Sequence, residues 1–214
     1  MIYRIDFQFL TPPVIGRHGL MLDALLASVQ ARRMGVYRNP LHFAQPDKIE
    51  IPVAIHADGY ALATRLCWDE HATSEVSTWT KTPRFGKHAD LVNLGKVMVT
   101  KGKYKAYQVP IETVGITSAW AWLETDAPSE VESLLGEVES LGKKGACGHG
   151  LLNGFSMIED PSFDFFANIM RPIPVRLLDI GAYAQVRREI RSWKAPYWDS
   201  HYVEDCVICG NRCA

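Results

Sequence analysis

The chain has 214 residues, of which 47% are hydrophobic and 22% charged, so it has the composition of an ordinary globular protein with a sizeable core. A net charge of −1 excludes a uniformly basic nucleic-acid-binding protein, and no apolar run predicts a membrane span or a signal peptide. Without such a segment, we expect a cytoplasmic protein whose five cysteines are reduced.

The N-terminal third predicts a strand, a helix and a hairpin. Residues 2–9 alternate between apolar and polar, which is typical of a half-buried strand. Apolar residues then recur at helical spacing over about 21–34. Two further strands, 50–56 and 60–67, are joined at Asp58-Gly59, a favoured hairpin turn.

The middle of the chain carries most of the positive charge. Residues 69–83 are polar and predict no regular element, whereas 81–105 hold seven basic residues against one acidic residue. Strands predicted over 97–100 and 104–109 form a hairpin with lysines at its tip, which suits contact with a phosphate backbone. Aromatic side chains interleave with these charges and suit stacking on bases, and packing beneath the hairpin is the alternative: Trp79, Phe85, Tyr104 and Tyr107.

A strand, a helix and another strand follow. Residues 117–123 predict a strand, and an apolar stripe from Val131 to Leu141 predicts a helix with Pro128 at an early position. The outer face of that helix is acidic, since 124–139 contain six acidic residues and no basic one. Separated charge of this kind gives the surface one side suited to an anion.

Residues 141–155 form a glycine-rich loop that leads into a strand predicted over 151–158. The five glycines are Gly142, Gly145, Gly148, Gly150 and Gly154, and Lys143 and Lys144 lie among them. Glycines let another molecule approach bare N–H groups, so the loop favours binding of a polyanion backbone. Because the helix comes before the loop, a Rossmann or P-loop site is excluded. The alternative is a plain connection with a helix cap at Gly142.

These elements predict an α+β fold with a ferredoxin-like (RRM-like) β-α-β-β-α-β core. The core covers about 1–160, with the basic hairpin inserted at about 68–110. Residues 161–214 form a C-terminal extension, with a strand at about 176–180 and a cysteine cluster.

This order of elements, the basic insertion and the loop Gly142 to Gly150 resemble the repeat-associated (RAMP) superfamily of CRISPR proteins. Within it, Leu22-Asp23-Ala24-Leu25-Leu26-Ala27 resembles the start of the type IV effector subunit that caps the 5′ end of the guide RNA. Pro196-Tyr197-Trp198 resembles the same subunit more weakly.

The resemblance implies a non-catalytic subunit that holds the 5′ handle of the CRISPR RNA and needs no cofactor. Its basic hairpin would act as a thumb against an adjacent backbone subunit. The large subunit would lie beside it, and target DNA would enter near the PAM end. The residues expected to contact RNA are Arg17, His18, Arg32, Arg33, Lys81, Arg84, Lys87, Lys101, Lys103, Gly142, Lys143, Lys144, Gly145, Gly148, His149 and Gly150.

Two other functions stay open from the sequence. Relatives in the superfamily include metal-independent RNA endonucleases with a histidine base, for which His18 and His149 are the candidates. The second open function is that of a ferredoxin-like protein that binds a small phosphate ligand with the glycine-rich loop.

The C-terminal cysteines have metal-ligand spacing. Cys206, Cys209 and Cys213 offer three thiols, and His201 is the nearest fourth ligand for a structural zinc ion. Cys67, Cys147 or a partner's residue could take its place, and the alternative without metal is an exposed thiol-rich tail.

Overall fold

The structure is a computed structural model. It describes residues 1–16, 19–35, 49–69, 72–81, 107–165, 167–168, 170–178, 187–195, 197 and 200–208, and at 81 and 107 the backbone only. Its elements are β1 (Ile2–Phe9), α1 (Leu22–Arg33), β2 (Thr73–Lys81), β3 (Tyr107–Gly115), β4 (Ser118–Glu124), α2 (Pro128–Leu135), β5 (Leu152–Glu159), β6 (Ile173–Pro174), β7 (Arg188–Ser192) and β8 (Val203–Val207).

The central sheet has the order β4-β1-β5, with both pairs antiparallel. Residues 61–67 continue it beyond β4, although they form isolated bridges rather than a regular strand. Cys67 and Trp120 exchange both backbone hydrogen bonds at 2.7 and 2.8 Å, and the Thr64 N–H donates to the Trp122 carbonyl at 2.8 Å. The resulting order β5-β1-β4-(61–67) is the ferredoxin-like arrangement that the sequence predicted.

Both helices cover one face of this sheet. The alternation of β1 places Ile5 and Phe7 toward them, fully buried. From α1, Leu22, Leu26 and Val29 meet this layer, and α2 adds Val131 and Leu134. The opposite face, which carries Arg4, Asp6, Trp120 and Trp122, is called the outer sheet face below.

The insertion is a two-stranded antiparallel ribbon, β2 with β3, and is called the ribbon below. Thr73 pairs with Gly115 at its base and Lys81 with Tyr107 at its far end. The prediction of an irregular segment over 69–83 is wrong, because β2 occupies most of it. The predicted strand over 97–100, the hairpin tip and the start of the strand predicted from 104 lie outside the described residues. From Tyr107 the chain is in β3, which continues to Gly115.

The C-terminal extension forms a third sheet of order β6-β8-β7. Its predicted strand at 176–180 is wrong where it can be compared, because Val175–Leu177 forms a 3-10 turn closed by the Leu178 N–H on the Val175 carbonyl. Among the described residues, no helix is long and apolar enough to cross a membrane.

The other predicted elements fall close to their observed bounds, except at two places. The helix predicted as far as Leu141 ends at Leu135, and the chain continues through turns that still bury Val138 and Leu141. Of the hairpin at Asp58-Gly59 only the bridge Ile55–Ala61 forms, with the Leu62 N–H donating to the Ala54 carbonyl at 2.7 Å. Beyond it the chain leaves 50–56, and residues 63–67 form bridges with β4 instead.

Candidate nucleic-acid interface

The glycine-rich loop is anchored to the segment that follows β1. The Lys143 N–H donates to the Val14 carbonyl at 2.7 Å, and the Gly150 N–H donates to the Pro12 carbonyl at 3.1 Å. The Leu141 N–H closes the loop on the Gly150 carbonyl at 2.9 Å. The loop is therefore a braced turn between α2 and β5.

Close packing of the chain on itself explains three of the five glycines. A Cβ at Gly142 would lie 2.5 Å from the Val14 carbonyl oxygen, and one at Gly150 would collide with the Leu141 carbonyl oxygen. Both backbones also have positive φ, +90° and +67°. A Cβ at Gly145 would collide with the Ser140 hydroxyl. These three glycines are therefore required by packing, and their contact with RNA stays a prediction.

The loop's N–H groups are also largely engaged within the protein. Besides the Lys143 and Gly150 amides, the N–H groups of Cys147, Gly148 and His149 donate to carbonyls of residues 144 and 145. Gly148 and Gly154 are the two loop glycines without such packing, because a Cβ at either position would meet nothing within 4 Å. The predicted cap at Gly142 is wrong, since α2 ends before Gly136.

The two lysines of the loop are exposed and adjacent. Lys144 holds the left-handed conformation with φ of +66°, the one such non-glycine residue in the described part of the chain. Its Nζ lies 5.0 Å from the centre of the Trp79 ring, so the ribbon meets the loop there. The Lys143 side chain runs along Gly16, where a Cβ would lie 3.2 Å from Nζ.

The two arginines of α1 have different surroundings. Arg33 is committed to α2, because its guanidinium donates to the Glu137 carboxylate and, at 2.7 and 2.8 Å, to the carbonyl and hydroxyl of Ser133. Arg33 therefore braces the two helices and is a poor candidate for phosphate contact. Arg32 is exposed and lines an open groove with Ser140 and Gly142, beside the glycine-rich loop.

Many predicted contacts cannot be placed. Arg17, His18, Arg84, Lys87, Lys101 and Lys103 lie outside the described residues, as does the side chain of Lys81. The described part of the candidate interface is thus Arg32, Lys143, Lys144 and Gly148, with half-buried His149 beside them. The two histidines proposed for RNA cleavage cannot be compared, because His18 is one of the unplaced residues.

The cysteine cluster can be placed only in part. Cys206 lies in β8 with no exposed surface, and its thiol donates to the Arg191 and Glu204 carbonyls at 3.5 and 3.4 Å. Burial first, and the charge of Glu204 second, raise the pKa of the Cys206 thiol to about 11. His201 lies in a 3-10 turn before β8, and Cys209 and Cys213 lie outside the described residues. A structural zinc ion stays a prediction, which elemental analysis of reduced protein tests.

The described cysteines differ in their redox state. Cys147 and Cys206 are free thiols, the first exposed and the second buried. Cys67, at the irregular edge beside β4, is disulfide-bonded. The expectation that all five cysteines are reduced is therefore wrong for Cys67, which is also a poor candidate for the fourth zinc ligand.

A buried ionic network joins the extension to the core, and no local sequence pattern indicated it. The Arg171 guanidinium donates to the carbonyls of Ala61, Ala63 and Trp193, the latter two at 3.1 and 2.9 Å. It also lies 3.5 Å from the carboxylate of Asp23, the acidic residue of α1. This arginine links α1, the irregular sheet edge and the extension.

Tyr197 completes this network. Its hydroxyl donates to the Asp23 carboxylate, with distances of 2.9 and 2.8 Å to the two oxygens, and accepts from Arg171 at 3.1 Å. Burial, followed by the charge of Asp23, raises the pKa of Tyr197 well above its usual 10.0. The hydroxyl therefore stays protonated and keeps donating across the physiological range. Asp23 and Tyr197 belong to the two short segments that carried the type IV resemblance.

The outer sheet face carries a second group of residues missing from the sequence-based candidates. The Arg4 guanidinium carbon lies 5.3 Å from the Trp120 ring centre and 5.6 Å from that of Trp122. Period-2 alternation alone could have found them, because it places Arg4, Trp120 and Trp122 opposite the buried residues of the same strands.

The comparisons with known proteins give a distant likeness among solved structures. No protein-family model and no curated protein matches the chain. Among solved structures, the chain is similar to one in the type III-B Cmr-beta complex bound to cognate target RNA, with a TM-score of 0.38 and 11% identity. The match covers 74% of this chain and 60% of that chain.

Proposed function

We propose that the protein is a non-catalytic RNA-binding subunit of a CRISPR effector ribonucleoprotein. The observation that carries the proposal is the pair of exposed lysines, Lys143 and Lys144, on a braced loop where the sheet meets the ribbon. Exposed cations beside an aromatic ring suit a single strand, because the cations bind phosphates and the ring stacks on a base.

The openness of this surface favours a polymer over a small ligand. Lys143 and Lys144 are exposed rather than enclosed, whereas sites for small ligands bury most of the ligand. The paired strands of the ribbon are nine residues long, so the ribbon runs about 30 Å from its base at Thr73 and Gly115 and passes the loop at Trp79. A strand that follows the ribbon could contact both elements, which a single phosphate could not.

The finer assignment rests on the sequence resemblance. Within the type IV effector complex, the subunit would cap the 5′ handle of the guide RNA, in contact with an adjacent backbone subunit and the large subunit. Target DNA would pass nearby at the PAM end, in the cytoplasm. The hydrogen bond between Asp23 and Tyr197 supports this assignment, since it gives the two matching segments one shared structural role.

Filter binding of single-stranded repeat RNA to the double variant K143A/K144A tests the RNA-binding role. Each phosphate interaction that the variant removes should reduce the slope of log affinity against log salt by about 0.7. Removal of two such interactions corresponds to an affinity decrease of about 25-fold at 0.1 M salt.

The matched control is R187A/R188A, which removes the same charge from exposed residues at the start of β7. We expect the control to bind as the wild type does. Equal decreases in both double variants would show a general charge effect and contradict a site at the loop. Wild-type protein with no affinity for RNA at low salt would refute the proposed function.

The capping role and the absence of catalysis need two other measurements. Protein purified with its genomic neighbours should carry RNA with one defined 5′ sequence, which sequencing of the RNA ends detects. Incubated alone with repeat RNA, it should leave the RNA intact, and a single defined cut would instead show an endonuclease.

A further inference from the structure

The outer sheet face forms rows of cross-strand neighbours. Trp122, Arg4 and Ile158 make up one row, and Trp120, Asp6 and Ser156 the next. The third row, at the end of the sheet next to the glycine-rich loop, is Ser118, Gln8 and Gly154. The face thus changes from aromatic and apolar to small and polar as it approaches the loop.

Arg4 is held in a fixed orientation on this face. Its Nε and one terminal nitrogen both donate to Asp6 Oδ1, at 3.0 and 2.7 Å. The guanidinium also lies over the rings of Trp120 and Trp122. A side chain fixed in this way loses little entropy when a ligand binds, so a planar group is presented ready for contact.

The face is partly covered by the extension and partly open. Phe163 stacks on Trp122 with ring centres 4.3 Å apart, and Trp122 is buried. The side chain of Arg4 is nevertheless 40% exposed, and Ile158 beside it is 57% exposed. Arg4 and Ile158 therefore present a planar cation and an apolar side chain side by side on the open part of this face.

The surface between Arg4 and the loop lysines is open at Gly154. Gly154 has no side chain, and a Cβ there would meet nothing within 4 Å. Gln8 and Arg4 are four residues apart on β1, a distance of about 13 Å. A short stretch of single strand can therefore span the face and reach the loop.

We infer that the outer sheet face is a base-stacking platform, on which Arg4 and Ile158 contact bases of the same RNA strand whose phosphates meet Lys143 and Lys144. The inference rests on the proposed function and adds a second contact region to it. Arg4 is paired with Asp6 and also interacts with the Asp160 carboxylate, which accepts from the Trp122 indole, so the platform contributes through stacking rather than by attracting phosphates.

The test is the variant Arg4→Lys, which keeps the charge and removes the planar group. Stacking predicts an affinity loss of at least about fivefold for single-stranded RNA, with an unchanged salt slope. Ile158→Ser, at an exposed position that tolerates substitution, should lose affinity in the same direction. Thermal unfolding of both variants confirms that they are folded.

The outcomes separate this inference from the proposed function. If R4K and I158S bind RNA as the wild type does while K143A/K144A loses affinity, the platform is refuted and the RNA-binding role stands. If R4K binds normally and Arg4→Gln loses both affinity and salt slope, Arg4 binds a phosphate, which also overturns stacking. If the wild type binds no RNA, both proposals fail together.

Discussion

Neutralising Asp23 should destabilise the protein more than any surface change of the same size. The Asp23→Asn variant keeps the shape of the side chain and can still accept from Tyr197, but it removes the counter-charge of Arg171. Both side chains are nearly inaccessible to water, at 1% and 5% exposure. A buried guanidinium without its partner cannot regain hydration, because the extension packs over it.

The magnitude follows from the burial of this pair. Removing one partner of a buried ion pair costs about 3–5 kcal/mol, which for a chain of this size lowers the melting temperature by about 10 °C. Tyr197→Phe removes a single hydroxyl that bonds to charged groups and should cost about 1.5–3 kcal/mol. Arg171→Met should cost as much as D23N, because it leaves the Asp23 carboxylate without its cation.

Urea unfolding of D23N, R171M and the double variant forms a double-mutant cycle. Because each single variant leaves the other group unpaired, the double variant should cost less than the sum, by at least about 1.5 kcal/mol. The control is Arg176→Ala, which breaks the exposed pair with Glu204 and should cost far less than D23N. A cost of D23N no larger than that of R176A would refute this account of the network.

Three further predictions concern the loop, the buried thiol and the helix pair. Gly150→Ala should lower the urea midpoint more than Gly148→Ala, because both have positive φ but only at 150 does a Cβ meet backbone; equal midpoints would contradict the packing role. As the pH rises from about 9 to 11, the unfolding free energy of the wild type should fall relative to that of Cys206→Ala. The total difference across this range should be about 2–3 kcal/mol. The sign follows because a raised folded pKa makes the unfolded chain release the thiol proton first, and parallel pH curves would rule this out. Arg33→Ala should lower stability by about 1 kcal/mol without weakening RNA binding, and a loss of affinity would return Arg33 to the interface.

The sequence predicted the sheet and α1 because their burial is one-sided. In β1 the buried Ile5, Phe7 and Phe9 alternate with more exposed neighbours, which is the signal that period-2 analysis detects. The same analysis missed β2, because nearly all of its described side chains are exposed on both faces. Only its content of threonine and valine could have indicated a strand.

The error in α2 has a different origin. Val138 and Leu141 are buried as the apolar stripe predicts, but the chain reaches them through a turn in which the Val138 N–H bonds to the Leu135 carbonyl. A periodic apolar pattern shows which side chains are buried in the core, but it does not show whether a helix or a turn carries them. Gly136, at the end of the helix, was the one local signal of the break.

For the candidate site, the sequence pattern located the exposed lysines of the loop but not the reason for its glycines. Lysines in a loop rich in glycine did mark an exposed basic surface, yet Gly142 and Gly150 serve packing that involves residues 12–14, more than a hundred positions away. The network of Asp23, Arg171 and Tyr197 was beyond local pattern analysis for the same reason. Sequence windows carry no information on which distant segments share a buried polar group.

The irregular sheet edge at 61–67 affects how the protein can associate with other chains. Beyond β4, its outward carbonyls at Ala61 and Ala63 accept from Arg171, while Thr64 and Leu66 bond to Leu22 and Leu20. An edge whose polar groups are already engaged offers no template for a foreign strand, which protects it from aggregation. Strand addition to this sheet is therefore directional, since 61–67 close one side of it and any growth would have to start from β5.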